Sequence, residues 1–173
     1  MSLDEVYEME NPEKEQIISD IISIQSLADY EAFDALWVAL TKAAKLMTVV
    51  SDRDCQGMVS LIEKFSDEEI KRLLKDESVD SLIFLDPPLE TALADPDEEP
   101  DENSTIRVIG KIRSSRDSDP REALINLGEI LKRIRNKRTH GYKTGSGSQD
   151  KEIFLLARKI LYLLCMLVIS KLN

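Results

Sequence analysis

The chain of 173 residues predicts an all-α fold, an up-and-down helical bundle in a single domain spanning 1–173. Three observations carry that reading. Apolar residues recur at helical spacing through successive segments. Helix start and stop signals separate those segments: Ser66 with Glu69, Asp119 with Pro120, His140 with Gly141. A C-terminal segment is apolar on nearly all sides around Ile160–Ile169, which places it at the centre of a core.

The elements follow in order. From Glu13 to about Leu27, Ile17, Ile18, Ile21, Ile22 and Ile24 give a mostly helical repeat. From Tyr30, a broader stripe of Phe33, Leu36, Trp37, Leu40, Ala44 and Met47 predicts a second helix, with the lone tryptophan as a core anchor. A third helix covers Cys55 to Phe65, with Met58, Leu61, Ile62 and Phe65 inward. Ser66 and Glu69 form a capping signal for a short helix through Leu74, and Asp80 to Leu85 reads equally as a short helix or an extended segment. Residues 86–103 hold Pro87, Pro88, Pro96, Pro100 and a dense acidic run, a composition that predicts a solvated, disordered acidic insert within the domain. Its aspartates lack the glycine and terminal glutamate of a calcium-binding EF-hand loop. After Thr105–Gly110, Arg113–Pro120 reads as a polar connector. Asp119 caps and Pro120 starts a helix to about His140. Residues 144–148 read as a flexible link, and Asp150 opens the last helix.

Composition sets the class. Apolar residues make up 42% of the chain, enough to fold. Cys55 and Cys165 sit among apolar residues and are expected as buried free thiols in a reducing cytoplasm. The N-terminal residues are acidic, the opposite of a secretory or mitochondrial signal. Arg158 and Lys159 interrupt the last apolar run, which predicts a buried core helix and no membrane span.

Charge is unevenly spread. The whole carries −10, yet residues 104–143 hold 11 basic against 4 acidic residues, a net of +7, while residues 1–103 carry a net of −19. An acidic body with one basic region can bind a polyanion locally and discourages indiscriminate binding.

The only histidine, His140, stands in that basic region. Leu124, Leu127, Leu131 and Ile134 carry a helix toward it, and Gly141 supplies the left-handed stop. On a continuous helix Arg135 and His140 stand about 140° apart, and a terminating turn can bring them to one side. Two readings then compete. In one, the cations of 131–143 offset the helix dipole and His140 is a cap. In the other, Arg135 binds a phosphate and His140 moves a proton near it. No serine or cysteine stands in a nucleophile-elbow setting, and 145–147 lacks the Lys-Ser/Thr of a phosphate-binding loop. One histidine and two buried cysteines do not make a zinc site, so no metal or other cofactor is expected. RNA cleavage without a metal fits what remains. A two-fold dimer would supply the second histidine needed for separate base and acid roles.

On these residues the chain resembles the HEPN domains of prokaryotic defence and toxin–antitoxin systems. Their signature is an arginine, usually followed by a polar residue, with four to six positions intervening before a histidine. Arg135-Asn136-Lys137-Arg138-Thr139-His140 fits with four, and His140-Gly141 is its common local wording. The segment Ala32–Ala39 is similar to the family's first long helix, and Asp150–Ile169 to its last. The resemblance implies a homodimer with facing motifs and metal-independent endoribonuclease activity that leaves a cyclic phosphate. It implies Arg135 as phosphate contact, His140 as proton carrier and Asn136 as an orienting residue. Charge and proximity add Arg133, Lys137, Arg138, Tyr142 and Lys143 as RNA-binding candidates. The function expected is a cytoplasmic toxin or phage-defence effector acting on tRNA or mRNA, with a cognate antitoxin or nucleotidyltransferase as a possible partner. The alternatives are a non-catalytic adaptor or nucleotide- or RNA-binding module, and a turn that serves only as a dimer contact.

Overall fold

The structure is a computed structural model that describes residues 12–24, 26–47, 59, 61–86, 88–93, 104–139 and 148–171. Its helices are α1 (Pro12–Ile24), α2 (Asp29–Met47), α3 (Asp67–Leu74), α4 (Glu77–Ile83), α5 (Leu89–Leu93), α6 (Thr105–Ser115), α7 (Pro120–Thr139) and α8 (Ser148–Lys171). No strand occurs among the described residues, so the all-α expectation holds at the level of a helical bundle.

Local chemistry accounts for several boundaries. Ser66 and Glu69 form the expected capping box: the Glu69 N–H donates to Ser66 Oγ at 3.2 Å, and the Ser66 N–H to Glu69 Oε1 at 3.0 Å. The Glu122 N–H donates to the Asp119 carboxylate at 3.2 Å, and buried Pro120 occupies the first position of α7, which has no helical partner for a donor. The ambiguous segment 80–85 resolves as the end of α4. Asp76 caps that helix by accepting from the Ser78 backbone N–H at 2.9 Å and from the Ser78 hydroxyl.

Two expectations need correction. Part of the expected insert is helical: α5 (Leu89–Leu93) lies inside it, with Leu89, Ala92 and Leu93 buried. Together with buried Leu85 these residues repeat at helical spacing, a pattern that the neighbouring prolines and acidic residues obscured. The acidic run 95–102 lies outside the described residues. The polar connector is also shorter than expected, because α6 continues through Arg113 to Ser115. Cys55 and Met58 of the expected third helix lie outside the described residues, while Leu61, Ile62 and Phe65 at its end are buried as expected.

The most extensive packing joins α2 to α8, and α6 to α7 forms the second seam. In the first, Phe33 lies 5.8 Å from Phe154 edge-on and 6.4 Å from Trp37, between ring centroids. Cys165 is buried against the same seam, its thiol reaching the Leu36 carbonyl at 3.7 Å. By length and composition α8 is apolar enough to cross a membrane; half of that window is buried inside the bundle. The shorter α3 and α4 join the two seams, α3 packing on α7 and α4 on α8, and α1 lies on α2.

Candidate functional site

The last turns of α7 carry most of the residues that the sequence singles out. Buried Ile130, Leu131 and Ile134 hold this part of the helix against the core. That contact fixes the direction of every other side chain on it. Arg135 and Lys137 then fall about 160° apart around the axis. The candidates divide between two flanks.

On one flank, Arg135 is half-buried, with its guanidinium 5.5 Å from the centroid of the Trp37 ring. Trp37 is itself buried in α2. A cation over an indole face gains about 0.5–2 kcal/mol, more as water is excluded. The contact also fixes the long side chain in place. Asn136 is exposed on the outer side of the helix.

On the other flank the cations turn into the fold. Arg133 donates from Nε to Glu129 at 3.1 Å and from a terminal nitrogen to the Thr105 hydroxyl at 2.9 Å, which joins α7 to the start of α6. The Lys137 ammonium donates to the Ala92 carbonyl at the end of α5. The structure thus brings Arg133 and Lys137 to α6 and α5, and Arg135 to α2. His140, Tyr142 and Lys143, and the side chain of Arg138, lie outside the described residues.

Lys137 belongs to a wider pattern that sequence reasoning missed. Arg121 donates to the carbonyls of Ile62 at 3.0 Å and Phe65 at 2.7 Å, and pairs with Asp67 at 2.9 Å. Arg113 donates to the Ile83 carbonyl at 3.1 Å, pairs with Glu90, and lies 5.1 Å from the centroid of the Phe84 ring. Arg158 donates to the Leu27 carbonyl at 2.9 Å. Each cation meets a carbonyl at or just beyond a helical C-terminus, where backbone acceptors lack helical partners and the dipole is negative. The chain has six glycines, and none follows α1, α4, α5 or the turn ending at Phe65. Helix ends without a glycine cap are the one sequence signal that such cations would be needed.

Other chemistry is narrow here. Burial pushes the Cys165 thiol up to about 12, so it stays protonated and unreactive near neutral pH. Among the described residues, no three His, Cys, Asp or Glu side chains converge as a bound metal would require. No protein-family model, curated protein or solved structure matches the chain.

Proposed function

We propose that this protein is a metal-independent endoribonuclease of HEPN type, an up-and-down bundle that acts as a homodimer with its Arg–His motifs facing one another. One observation carries the reading: the Arg135 guanidinium is held over Trp37, near the end of α7, five residues before the only histidine in the chain. A cation fixed in this way needs little further ordering to bind a phosphate, and it stabilises charge that grows on the phosphoryl oxygens.

The reaction follows from these groups. His140 takes the proton from a ribose 2′-hydroxyl, and the 2′-oxygen attacks the adjacent phosphorus. Arg135 holds the non-bridging oxygens as the pentacoordinate transition state forms. The bond from phosphorus to the 5′-oxygen breaks, His140 of the partner subunit protonates that oxygen, and a 2′,3′-cyclic phosphate and a 5′-hydroxyl remain. Asn136 orients substrate or histidine, with Arg138, Tyr142 and Lys143 along the RNA. In the cell the protein is a cytoplasmic toxin or phage-defence effector acting on tRNA or mRNA, restrained by a cognate antitoxin or nucleotidyltransferase.

A second reading draws on a specific observation. Arg133 and Lys137, two of the expected RNA contacts, already bond to Thr105, Glu129 and Ala92 within the chain. A surface with fewer outward cations suits a non-catalytic module that binds nucleic acid or a partner. Incubation of labelled tRNA and mRNA in EDTA, with wild-type and His140→Ala protein, separates the two. The first reading expects cyclic phosphate ends from wild type and a loss of about 10²–10⁴-fold in His140→Ala. Intact RNA with a folded, dimeric wild-type protein, bound in a salt-sensitive way, overturns the first in favour of the second.

A further inference from the structure

A cavity of about 290 Å³ opens to solvent between α1, α2, α8 and the start of α4, with no residue of α7 in its lining. Its apolar wall consists of Ile21 and Ile24 from α1, Leu36 from α2 and Leu163 from α8. Three of these are core residues no more than 6% exposed, so the cavity reaches into the packed interior. Its polar rim is formed by Asp76, Arg158, Lys159 and Tyr162. The α8 spacing explains the division: Arg158 and Lys159 stand one helical turn before Tyr162 and Leu163.

We infer that this cavity is a binding site for a small apolar carboxylate, an aliphatic chain or ring ending in a single anionic group. Size, wall and charge agree on that class. The volume lies just under the roughly 300–1,000 Å³ usual for small-molecule pockets, so the occupant is smaller than a drug-sized molecule. The wall offers only hydrocarbon, which selects an apolar body. Two cations against one carboxylate give the rim a net positive charge, which selects a monoanion over a neutral or cationic head. The Asp76 carboxylate accepts two bonds from Ser78, and these hold its pKa below the usual value, with Lys159 adding to the effect, so Asp76 takes up part of the Lys159 charge and leaves Arg158 as the larger share of the rim's positive excess. The Arg158 guanidinium is anchored by the Leu27 carbonyl at 2.9 Å, so it stands at the rim in a fixed position.

An occupant would brace α1, whose main packing is on α2 and whose contact with α8 is slight. The inference stands apart from the ribonuclease reading, because it uses neither Arg135 nor His140.

Calorimetric titration with octanoate and with octanamide, below micelle-forming concentration, tests it on the full chain. Octanoate is expected to bind at one site per chain and raise the melting temperature, and the neutral amide to bind about tenfold more weakly. Lys159→Glu, at an exposed position, should abolish that preference. Leu163→Trp, which fills the cavity, should abolish binding of both probes while the protein still melts cooperatively. Equal binding of the two probes by wild type, a preference undiminished in Lys159→Glu, or no saturable octanoate binding would each overturn the proposal. If Leu163→Trp does not fold, the two-probe comparison in Lys159→Glu decides by itself.

Discussion

The two flanks of α7 carry the same kind of side chain within five residues of one another and put it to opposite uses. Arg133 and Lys137 meet backbone and hydroxyl oxygens of α5 and α6, where a cation completes hydrogen bonding that the helix ends leave open. Arg135 meets an aromatic face of α2, which fixes the cation over the indole ring. The charge is identical, so the difference lies in what the bundle places opposite. A net basic segment is therefore two populations. One holds the fold together and the other, in the function proposed, meets the substrate.

The strongest way to break this comparison is to truncate one residue on each flank. Arg135→Ala should lower the rate of RNA cleavage by about 10²–10³-fold, the usual loss when a charge-stabilising donor is removed. Its stability should fall by about 0.5–2 kcal/mol, the worth of the contact with Trp37. Lys137→Met keeps most of the aliphatic stem and removes the donor to Ala92; it should lower stability by about 1 kcal/mol and leave cleavage per folded molecule within a few-fold of wild type. Steady-state cleavage assays beside denaturant titrations give both quantities. If both variants lose cleavage to the same extent, the division into two populations is wrong.

Arg121 sharpens the same point at a distance from the site. It bonds to the Ile62 and Phe65 carbonyls and to Asp67, so it joins α7 to the turn before α3. Arg121→Met should cost about 1–3 kcal/mol in urea unfolding, because two acceptors lose a charged donor, while the exposed Asp67 pair contributes little. RNA cleavage should be unchanged below the unfolding transition.

What was legible in the sequence is what is local. The capping box at Ser66, the Asp119–Pro120 start of α7, the core position of Trp37 and the burial of Cys165 each depend on neighbours in sequence or on a simple apolar setting. The carbonyl clamps were not legible, because Arg113, Arg121, Lys137 and Arg158 reach partners 30, 59, 45 and 131 positions away. Composition favoured the wrong reading at α5, where four apolar residues at helical spacing outweigh the prolines around them. In the candidate site, the sequence located Arg135 but not its contact with Trp37, which needs α2 and α7 brought together in the fold. It also grouped Arg133 and Lys137 with Arg135, since charge alone does not tell which flank a cation occupies.

The smallest expected effect concerns a clamp made by a carboxylate. Glu69 accepts from Lys171 at 2.7 Å and from the Ser66 N–H, and these bonds, led by Lys171, hold its pKa at about 2 against an ordinary 4.5. The folded chain therefore keeps Glu69 ionised where the unfolded chain has already taken up a proton. The stability it contributes is fully present above pH 4.5 and is lost as pH falls from there toward 2. Glu69→Gln retains an amide oxygen for the Ser66 N–H and removes the charge that Lys171 meets. Urea unfolding of both proteins at pH 7, 4 and 2.5 should show wild type more stable at pH 7 and the two converging in acid. Part of the wild-type slope should survive in Glu69→Gln, because the Asp76 carboxylate is also held below its usual value and loses its contribution in the same direction. Parallel pH profiles would show that Lys171 fixes the end of α8 without the charge of Glu69.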